Sequence, residues 1–380
     1  MRFTVNRDVF SEAVSFAVKL LPQRPTQPLL SGALIEAENG ELTVSTFDYE
    51  VSSRTAIKAD ISEAGRALVS GKLLSEIAQR LPHADVEVTL VESRVEVRCG
   101  SASFSLPAMP VEEYPQIPNI TAVSGAVPAD AFSEAIAQVS LAASRDDVTP
   151  VITGVQLEIN SNSLTLTATD RYRVATRSID WENQAEQESL SALVPAKIVT
   201  EVGKTFGNDG IVNIAIIKDE ERELIAFTGG NKTVTSLLIK GNYPPVGRLF
   251  PTDVDNYAVI STSELVEAVG RVSLVLEREA ALRFTFTDGN VTLEAAGTES
   301  AKAVESVDVH LMGEGMTVSL KPQYLLDALR STHSEFARIA FTRTDNPAKP
   351  GPVLITSQRS KEDADDTSYR YLLQPNLLLR

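Results

Sequence analysis

The sequence predicts an α+β fold made of three tandem copies of one domain, each containing two helices and an antiparallel sheet. The main observation is an internal repeat, because Phe10-Ser11-Glu12-Ala13 recurs as Phe132-Ser133-Glu134-Ala135 at an offset of 122 residues. The same offset carries Asp48 onto Asp170. A fainter third copy includes Leu265-Val266-Glu267-Ala268. A repeat of this length is too long for a solenoid unit and indicates a complete domain.

The second half of each copy repeats as well, and this sets the domain boundaries. Lys72-Leu73-Leu74-Ser75-Glu76-Ile77 parallels Lys197-Ile198-Val199-Thr200-Glu201-Val202, and Gln323-Tyr324-Leu325-Leu326-Asp327-Ala328 follows in the third copy. The joints contain Pro115-Gln116-Ile117-Pro118-Asn119 and Pro244-Pro245-Val246-Gly247, whose prolines and glycine are typical of linkers. We therefore expect domains over residues 1–118, 119–249 and 250–380.

Each copy begins with a short apolar strand followed by an amphipathic helix. The strand positions are Phe3 and Val5 in the first copy, Val127 in the second and Val259 in the third. In the first copy, apolar residues recur at the spacing of one helical face. These residues are Val9, Phe10, Ala13, Val14, Ala17 and Leu20.

Hairpins and a second helix complete each copy. Asn39-Gly40 lies between alternating apolar and polar residues and predicts a tight hairpin turn, and Asp288-Gly289-Asn290 stands at the corresponding place in the third copy. The second helix is entered through Val69-Ser70-Gly71-Lys72 or Val194-Pro195-Ala196-Lys197. Further strands are predicted in the first copy over residues 86–90, 94–99 and 103–106. Two helices with many antiparallel strands indicate an α+β domain rather than βαβ units.

Composition limits the class of protein. The chain has 380 residues, 43% of them hydrophobic, and a formal net charge of −16. The single Cys99 excludes a disulfide framework and suits a reducing cytosol, and the absence of a long apolar run or signal peptide leads us to expect a cytoplasmic protein. The acidity is only a weak argument against nucleic acid, since binding depends on where the basic residues lie.

Candidate catalytic residues are few. The three histidines, His83, His310 and His333, lie in separate stretches without metal-ligand spacing, and Cys99 lies in an alternating strand pattern. The acidic run at residues 362–366 lacks the glycine and terminal glutamate of a calcium loop. We therefore predict no catalytic residue, no metal site and no cofactor, and a protein that acts by binding.

Arginine and tyrosine cluster in the second copy, where Arg171, Tyr172 and Arg173 follow Asp170. One interpretation is an edge strand with solvated charges. The other is a docking surface, because arginine and tyrosine are enriched at recognition sites. The residues alone leave both open.

The ordered motifs resemble those of the bacterial sliding DNA clamp, the beta subunit of DNA polymerase III, in its actinobacterial branch. The resemblance rests on the three tandem domains and on four segments across the chain. These are Arg24-Pro25-Thr26, Ala168-Thr169-Asp170-Arg171-Tyr172-Arg173, Val194-Pro195-Ala196-Lys197 and Tyr371-Leu372-Leu373-Gln374-Pro375. It implies a non-catalytic processivity subunit of the polymerase holoenzyme.

The resemblance implies a homodimer in which two chains associate head-to-tail into a ring of six domains around double-stranded DNA. The family's interface positions match Phe104 and Leu106 on a first-domain strand, and Leu274 and Val275 on a third-domain helix. Its DNA-facing basic positions match Arg24, Lys72 and Lys197, and the helix pattern adds Arg80 and Lys204. Contacts to phosphates alone would keep the ring on the DNA without reading its sequence, so that the ring would be free to slide.

The resemblance also implies a groove between domains two and three for short, partly hydrophobic peptide motifs. The expected partners are the DNA polymerase III alpha subunit, the clamp loader, other polymerases, ligase and repair proteins, and cyclic-peptide antibiotics occupy this groove in the family. The matching positions are Ile152, Thr169, Arg171, Tyr172, Arg173, Val174, Pro244, Arg248, Leu249, Leu372, Leu373, Gln374, Pro375 and Asn376.

The carboxyl end departs from the family pattern, in which the last strand is followed by Met-Pro, a variable residue and Arg-Leu, whereas this chain has Gln374-Pro375-Asn376-Leu377-Leu378. Lys321 and Pro352 are also unexpected near the groove. A specialised clamp copy with altered peptide or antibiotic binding is therefore one alternative, and a peptide-binding scaffold without DNA is another. The least favoured is an enzyme that uses the repeated carboxylates Asp48, Asp170 and Asp327, of which the first two are explained by turn hydrogen bonding.

Overall fold

A computed structural model of the chain describes residues 1–184, 189–208, 210–218, 222–252, 254–277, 280–296, 301–342 and 350–376. The three predicted copies appear in it as three successive sets of two helices and antiparallel strands. None of the helices in these ranges is both long and apolar enough to cross a membrane.

The first copy contains two helices and nine strands. In chain order they are β1 (Arg2–Val5), α1 (Arg7–Val18), β2 (Gly32–Glu38), β3 (Glu41–Phe47), β4 (Val51–Lys58), β5 (Asp60–Glu63), β6 (Gly65–Ser70), α2 (Gly71–Arg80), β7 (Val86–Val91), β8 (Arg94–Cys99) and β9 (Ala102–Pro107).

The second copy has the same order of elements. It comprises β10 (Gly125–Pro128), α3 (Ala129–Ser140), β11 (Gly154–Asn160), β12 (Ser163–Thr169), β13 (Arg173–Asp180), β14 (Glu182–Asn183), β15 (Ser189–Pro195), α4 (Ala196–Phe206), β16 (Ile211–Lys218), β17 (Glu223–Gly229) and β18 (Lys232–Leu237).

The third copy comprises β19 (Tyr257–Ser261), α5 (Thr262–Val272), β20 (Leu282–Thr287), β21 (Asn290–Ala296), β22 (Lys302–Met312), β23 (Met316–Leu320), α6 (Pro322–Ser331), β24 (Phe336–Phe341), β25 (Val353–Gln358) and β26 (Asp366–Leu373). The predicted opening strands and the predicted second helices are therefore all present.

The strands form three antiparallel sheets. The first has the order β5-β1-β7-β8-β9, the second β14-β10-β16-β17-β18-β4-β3-β2-β6, and the third β15-β11-β12-β13-β26-β25-β24-β19-β22-β21-β20-β23. Neighbouring copies share sheets because their strands pair directly, β18 with β4 through Thr235 and Ser52, and β13 with β26 through Arg173 and Leu373.

The chain divides into two compact units. The first contains residues 1–129, 182–186 and 208–238, and the second contains residues 130–181, 187–207 and 239–380. The strands of the second copy are thus divided between the units. This division follows from the shared sheets, since a strand packs with the partners to which it is hydrogen-bonded.

The first helix shows how local sequence sets these elements. The side chain of Asn6 caps α1 by accepting hydrogen bonds from the backbone of Asp8 and Val9. Its buried face includes Phe10, which is fully enclosed in the core of the first copy. Two predicted apolar positions differ, because Val9 is exposed on the first turn and Leu20 lies beyond the end of the helix.

The predicted hairpin turns are confirmed. Asn39 and Gly40 join β2 to β3 with φ angles of 53° and 78°, as a two-residue turn of the primed type requires. Gly289, with a φ of 88°, joins β20 to β21. A residue other than glycine or asparagine is disfavoured at these positive φ angles.

Candidate functional site

The turn between β12 and β13 presents the predicted arginine and tyrosine cluster. Asp170 Oδ1 accepts hydrogen bonds from the backbone N–H groups of Tyr172 and Arg173, both at 3.1 Å. The hydroxyl of Thr169 donates to the carbonyl of Arg173 at 2.7 Å. Arg171 lies between these anchors with a φ of 78°, an uncommon angle for a residue with a side chain. The turn is therefore held rigidly, while Arg171 and Tyr172 are exposed.

Arg173 is buried and links the second copy to the third. Its Nε donates to Asp170 Oδ2 at 2.8 Å, its Nη1 to Asp327 Oδ2 at 2.6 Å and to the Tyr371 hydroxyl at 3.0 Å. Its Nη2 donates to the carbonyl of Leu141 at 2.7 Å. Burial alone would lower the pKa of Arg173, but the contacts to Tyr371 and the two carboxylates raise it, so that the guanidinium stays charged.

Two tyrosines stand beside this buried arginine. The rings of Tyr172 and Tyr324 are stacked, with centroids 6.4 Å apart and planes at 28°. The guanidinium of Arg173 lies 4.3 Å from the centre of the Tyr324 ring. The Lys321 ammonium lies 5.8 Å and 5.6 Å from the centres of the Tyr172 and Tyr324 rings. Cations at these distances are attracted to the negative faces of the rings.

A cavity of about 600 Å³ opens at this point, and we call it the Tyr172 cavity. Four predicted groove residues line it, namely Ile152, Arg171, Tyr172 and Arg173. Sequence reasoning missed the other walls, which come from the loop after α3 and from α6. They include Leu141, Arg145, Asp146, Gln323, Tyr324 and Asp327. The sequence does contain a signal for α6, because the segment from Gln323 to Ala328 repeats the second helix of the other copies.

Four predicted groove residues on β12, β13 and β26 are buried in the protein instead of lining the Tyr172 cavity. Leu373 is fully buried and Thr169 is bonded within its own turn. Val174 and Leu372 belong to an apolar cluster that also contains Phe250. These side chains form the packed support beneath the site.

The remaining groove positions lie on two segments. Pro244 is half-buried, and Arg248 and Leu249 are exposed on a short 3-10 turn, Val246–Leu249. At the carboxyl end, the exposed Gln374 donates its backbone N–H to the carbonyl of Tyr172 at 2.9 Å. Pro375 is buried, and Asn376 donates its backbone N–H to the carbonyl of Ser319.

The predicted DNA-binding residues are exposed. Lys72 and Arg80 lie on α2, Lys197 and Lys204 lie on α4, and Arg24 lies in the segment between α1 and β2. Lys204 is paired with Glu201 at 2.9 Å, three residues earlier on the same helix.

The predicted interface residues fall on two elements. Phe104 is 37% exposed on β9, the edge strand of its sheet, whereas Leu106 is 1% exposed and belongs to the core of the first copy. Leu274 is 84% exposed. Leu274 and Val275 lie on a short 3-10 helix, Ser273–Val275, which directly follows α5.

Other polar groups have structural partners. Asp48 Oδ1 accepts from the backbone N–H groups of Glu50 and Val51, which confirms the predicted turn role of Asp48 and Asp170. Cys99 is buried and donates to the carbonyls of Pro82 and Ala84. Across the described ranges there is no group of three or more histidine, cysteine, aspartate or glutamate residues able to hold a metal.

Comparison with known proteins gives a consistent family match. Three models of the DNA polymerase III beta subunit match in succession, the N-terminal domain at residues 1–118, the central domain at 126–245 and the C-terminal domain at 247–359. The beta sliding clamp of Streptomyces coelicolor is 42% identical over 377 residues, which is 99% of each chain.

Solved structures match along the same length. The DNA polymerase sliding clamp of Bacillus subtilis is 26% identical, covers 100% of both chains and has a TM-score of 0.90. A Pseudomonas aeruginosa sliding clamp bound to griselimycin has 24% identity, a TM-score of 0.90 and coverage of 100% of both chains. The second likeness supports the fold alone.

Proposed function

Because the chain belongs to the sliding-clamp family of DNA polymerase III beta subunits, we propose that it encircles duplex DNA and tethers replication proteins to it. The observation that carries this proposal is the triplicated two-helix domain, matched along the whole chain by clamp structures. The family's subunit is non-catalytic and gives the polymerase its processivity. We expect it in the cytoplasm at the nucleoid, with domains over residues 1–118, 119–249 and 250–380.

Two chains would form the ring by a head-to-tail contact between β9 of one chain and the turn at Leu274 of its partner. A head-to-tail contact either closes into a ring or continues into a filament. The 84% exposure of Leu274 supports a role in association, since it leaves a large apolar side chain accessible to a partner chain. Phe104 offers the complementary apolar side chain on an edge strand.

DNA would pass through the ring and contact Arg24, Lys72 and Lys197, with Arg80 and Lys204 as weaker contributors. All five side chains are exposed. Because the chain as a whole has a net charge of −16, its attraction for phosphate is concentrated at exposed cations such as these. Contacts of this kind carry no sequence information, so that the ring is free to slide. Lys204 contributes less because Glu201 already pairs with it.

Peptide motifs of partner proteins would dock at the Tyr172 cavity and along the segments at Leu249 and Gln374. A concave site of about 600 Å³ with a few placed polar groups has the form of a ligand pocket. We expect it to take the polymerase III alpha subunit, the clamp loader, other polymerases, ligase and repair proteins. The griselimycin complex of a Pseudomonas clamp supports binding of cyclic-peptide antibiotics as well.

Retention on circular DNA tests the proposed function. The wild-type chain, loaded by its clamp loader on nicked circular DNA, should run with the circle as two 41.1 kDa chains and be released when the circle is cut. Leu274→Glu should abolish retention, because a buried unpaired carboxylate opposes ring closure. An exposed charge change elsewhere, Lys361→Glu, serves as the control. Equal retention on circular and linear DNA would contradict the proposal.

The proposed DNA-binding residues give a second prediction. The double variant Arg24→Ala with Lys197→Ala should lower the amount of clamp loaded at moderate salt without lowering the dimer mass, because it removes phosphate contacts and no packing. Light scattering checks the mass, and a loading assay over a salt series checks the loss. Unchanged loading at every salt concentration would refute the assignment.

A further inference from the structure

A second cavity, of about 700 Å³, lies at the other end of the β13–β26 pairing from the Tyr172 cavity. Arg173 of β13 stands beside the Tyr172 cavity, and Arg177, four residues further along the strand, lines the second one. Four residues of extended strand span about 13 Å. We call this second site the Gln138 cavity, and the described residues that line it are all different from those of the Tyr172 cavity.

Gln138 of α3 contributes an unpartnered acceptor to this cavity. The residue is 2% exposed, and its side-chain Nε2 donates to the carbonyl of Ser331 at 2.7 Å. The other amide atom, Oε1, is buried and accepts no hydrogen bond from the described residues. A buried acceptor without a donor is rare and costly in a native protein. The cavity therefore requires a group that donates a hydrogen bond to Gln138.

Carboxylates outnumber permanent cations around the same cavity. The arginines are Arg177 and Arg359 in its lining and Arg338, which pairs with Asp365 at 3.1 Å. Lys361 lies near the cavity in sequence but outside its lining. The acidic side chains that line the cavity are Glu134, Glu335, Asp363, Asp365 and Asp366. Even when Lys361 is counted, five carboxylates stand against four permanent cations.

Two of these carboxylates, those of Glu335 and Asp363, are uncommitted. Both residues are exposed, and in the described part of the chain the two carboxylates form neither an ion pair nor a hydrogen bond. Glu134, by contrast, has its Oε1 2.9 Å from the Nδ1 of His333. The negative charge that a ligand would meet is therefore concentrated at Glu335 and Asp363.

We infer that the Gln138 cavity binds a primary alkylammonium group, carried by a lysine side chain of a partner protein or by a free polyamine. The Gln138 oxygen requires a donor and the free carboxylates require a cation, and an ammonium group with three N–H donors satisfies both. A chelated metal ion fits less well, because no three acidic, histidine or cysteine side chains of the described residues are arranged to hold one. The site is separate from the proposed peptide groove.

A matched pair of ligands tests the donor. The peptide acetyl-Gly-Lys-Gly-amide and its Nε-trimethyllysine version carry the same charge, but only the first has N–H groups on its side chain. Isothermal titration calorimetry with the full-length chain should show the lysine version binding about tenfold more tightly. Spermidine in the same assay distinguishes the sources of the ammonium group. Tighter binding of spermidine than of the lysine peptide identifies a free polyamine, and the reverse order identifies a protein side chain.

Variants locate the site. Glu335→Gln with Asp363→Asn should weaken binding of the lysine peptide about fivefold, because it removes two exposed charges and no packing. Glu38→Gln with Glu41→Gln is the matched control, since it removes the same charge from two exposed residues that face each other across the β2–β3 hairpin. It should leave the affinity unchanged. Gln138→Leu should abolish the preference for lysine over trimethyllysine, and thermal melting checks that this variant is folded.

Three outcomes would overturn the inference. They are equal binding of the two peptide versions by the wild-type chain, equal losses in the cavity variant and the hairpin control, and displacement of the lysine peptide by magnesium ions at constant ionic strength. The last would assign the cavity to a metal ion. Retention on circular DNA is measured separately, so that each of these outcomes leaves the proposed function intact.

Discussion

Two turns of the molecule, at residues 48–51 and at residues 170–173, have the same backbone and different surroundings. In each, an aspartate accepts hydrogen bonds from the backbone N–H groups two and three residues later. In each, the next residue takes a positive φ, 75° at Tyr49 and 78° at Arg171. An aspartate cap stabilises this geometry in both copies.

The side chains that flank the turns differ. Phe47 precedes the first turn and is buried in a cluster with Leu68 and Tyr114, whereas Thr169 precedes the second and bonds within its own turn. The first turn ends at Val51 and the second at Arg173. The buried Arg173 pairs with Asp327 of α6, so that α6 is held beside the second turn. The comparison shows that one turn of a repeated domain has acquired a buried ion pair, and that both of its partners line the Tyr172 cavity.

The largest expected effect is at Arg173. Arg173→Ala should destabilise the second unit by about 3–5 kcal/mol, because Asp170 and Asp327 lose their shared cation in a buried site. The matching change in the first copy, Val51→Ala, should cost about 1 kcal/mol. Hydrogen exchange over β13 and β4 measures each unit locally, since a chain of two units need not unfold in one step.

If Arg173→Ala lowered hydrogen-exchange protection over β13 no more than Val51→Ala lowers it over β4, the structural role of Arg173 would be contradicted. A second variant, Asp327→Asn, keeps the shape and one hydrogen bond and should cost less than Arg173→Ala. This order distinguishes loss of the ion pair from loss of side-chain volume.

The next largest effect on stability is expected at Phe47, the aromatic residue before the first turn. Phe47→Thr, which places the second turn's residue in the first, should destabilise the first unit by about 3 kcal/mol through lost burial and a residual cavity. The reverse change, Thr169→Phe, should cost about 1–3 kcal/mol through overpacking. Thermal unfolding with exchange over β3 and β12 checks both. A stabilising Thr169→Phe would show that space near the second turn is unfilled in the free protein.

Much of this fold is predictable from the sequence because its signals are local. The offset of 122 residues locates Asp48 and Asp170, and a short aspartate side chain that caps its own turn needs no distant partner. Hairpin turns such as Asn39-Gly40 are likewise set by neighbouring residues. The exact end of α5 before Leu274 is not set by such signals, since helix ends vary by about one or two residues.

The site was less predictable because its walls come from distant segments. Arg173 and Asp327 are 154 residues apart, and Arg173 and Tyr371 are 198 apart. Arg173 has the sequence character of a surface residue, and only the fold shows that it is buried. Tyr114 and Tyr243 were also missed, although each precedes a proline at a joint and its repetition is visible in the sequence.

These two tyrosines extend the comparison to the linkers. The Tyr114 hydroxyl accepts the backbone N–H of Phe47 at 2.7 Å and lies within hydrogen-bond distance of the Phe47 and Gly32 carbonyls. The Tyr243 hydroxyl has a longer contact, 3.5 Å, to the carbonyl of Thr167. The first linker is therefore attached more tightly to its turn than the second.

The dependence of stability on alkaline pH tests how Tyr114 attaches the first linker. Burial raises the pKa of Tyr114 from 10.0 to about 12, so its neutral form is favoured in the folded state. The contribution to stability is complete below about pH 10 and is lost as the pH rises from 10 towards 12, by about 3 kcal/mol in all. Tyr114→Phe should cost about 1 kcal/mol near neutral pH but flatten the alkaline decline, because phenylalanine has no proton to lose. Melting midpoints between about pH 8 and about pH 11 measure this slope, with the exposed Tyr49→Phe as the matched control. An alkaline slope in Tyr114→Phe as steep as in the wild type would show that the phenol does not anchor the first linker.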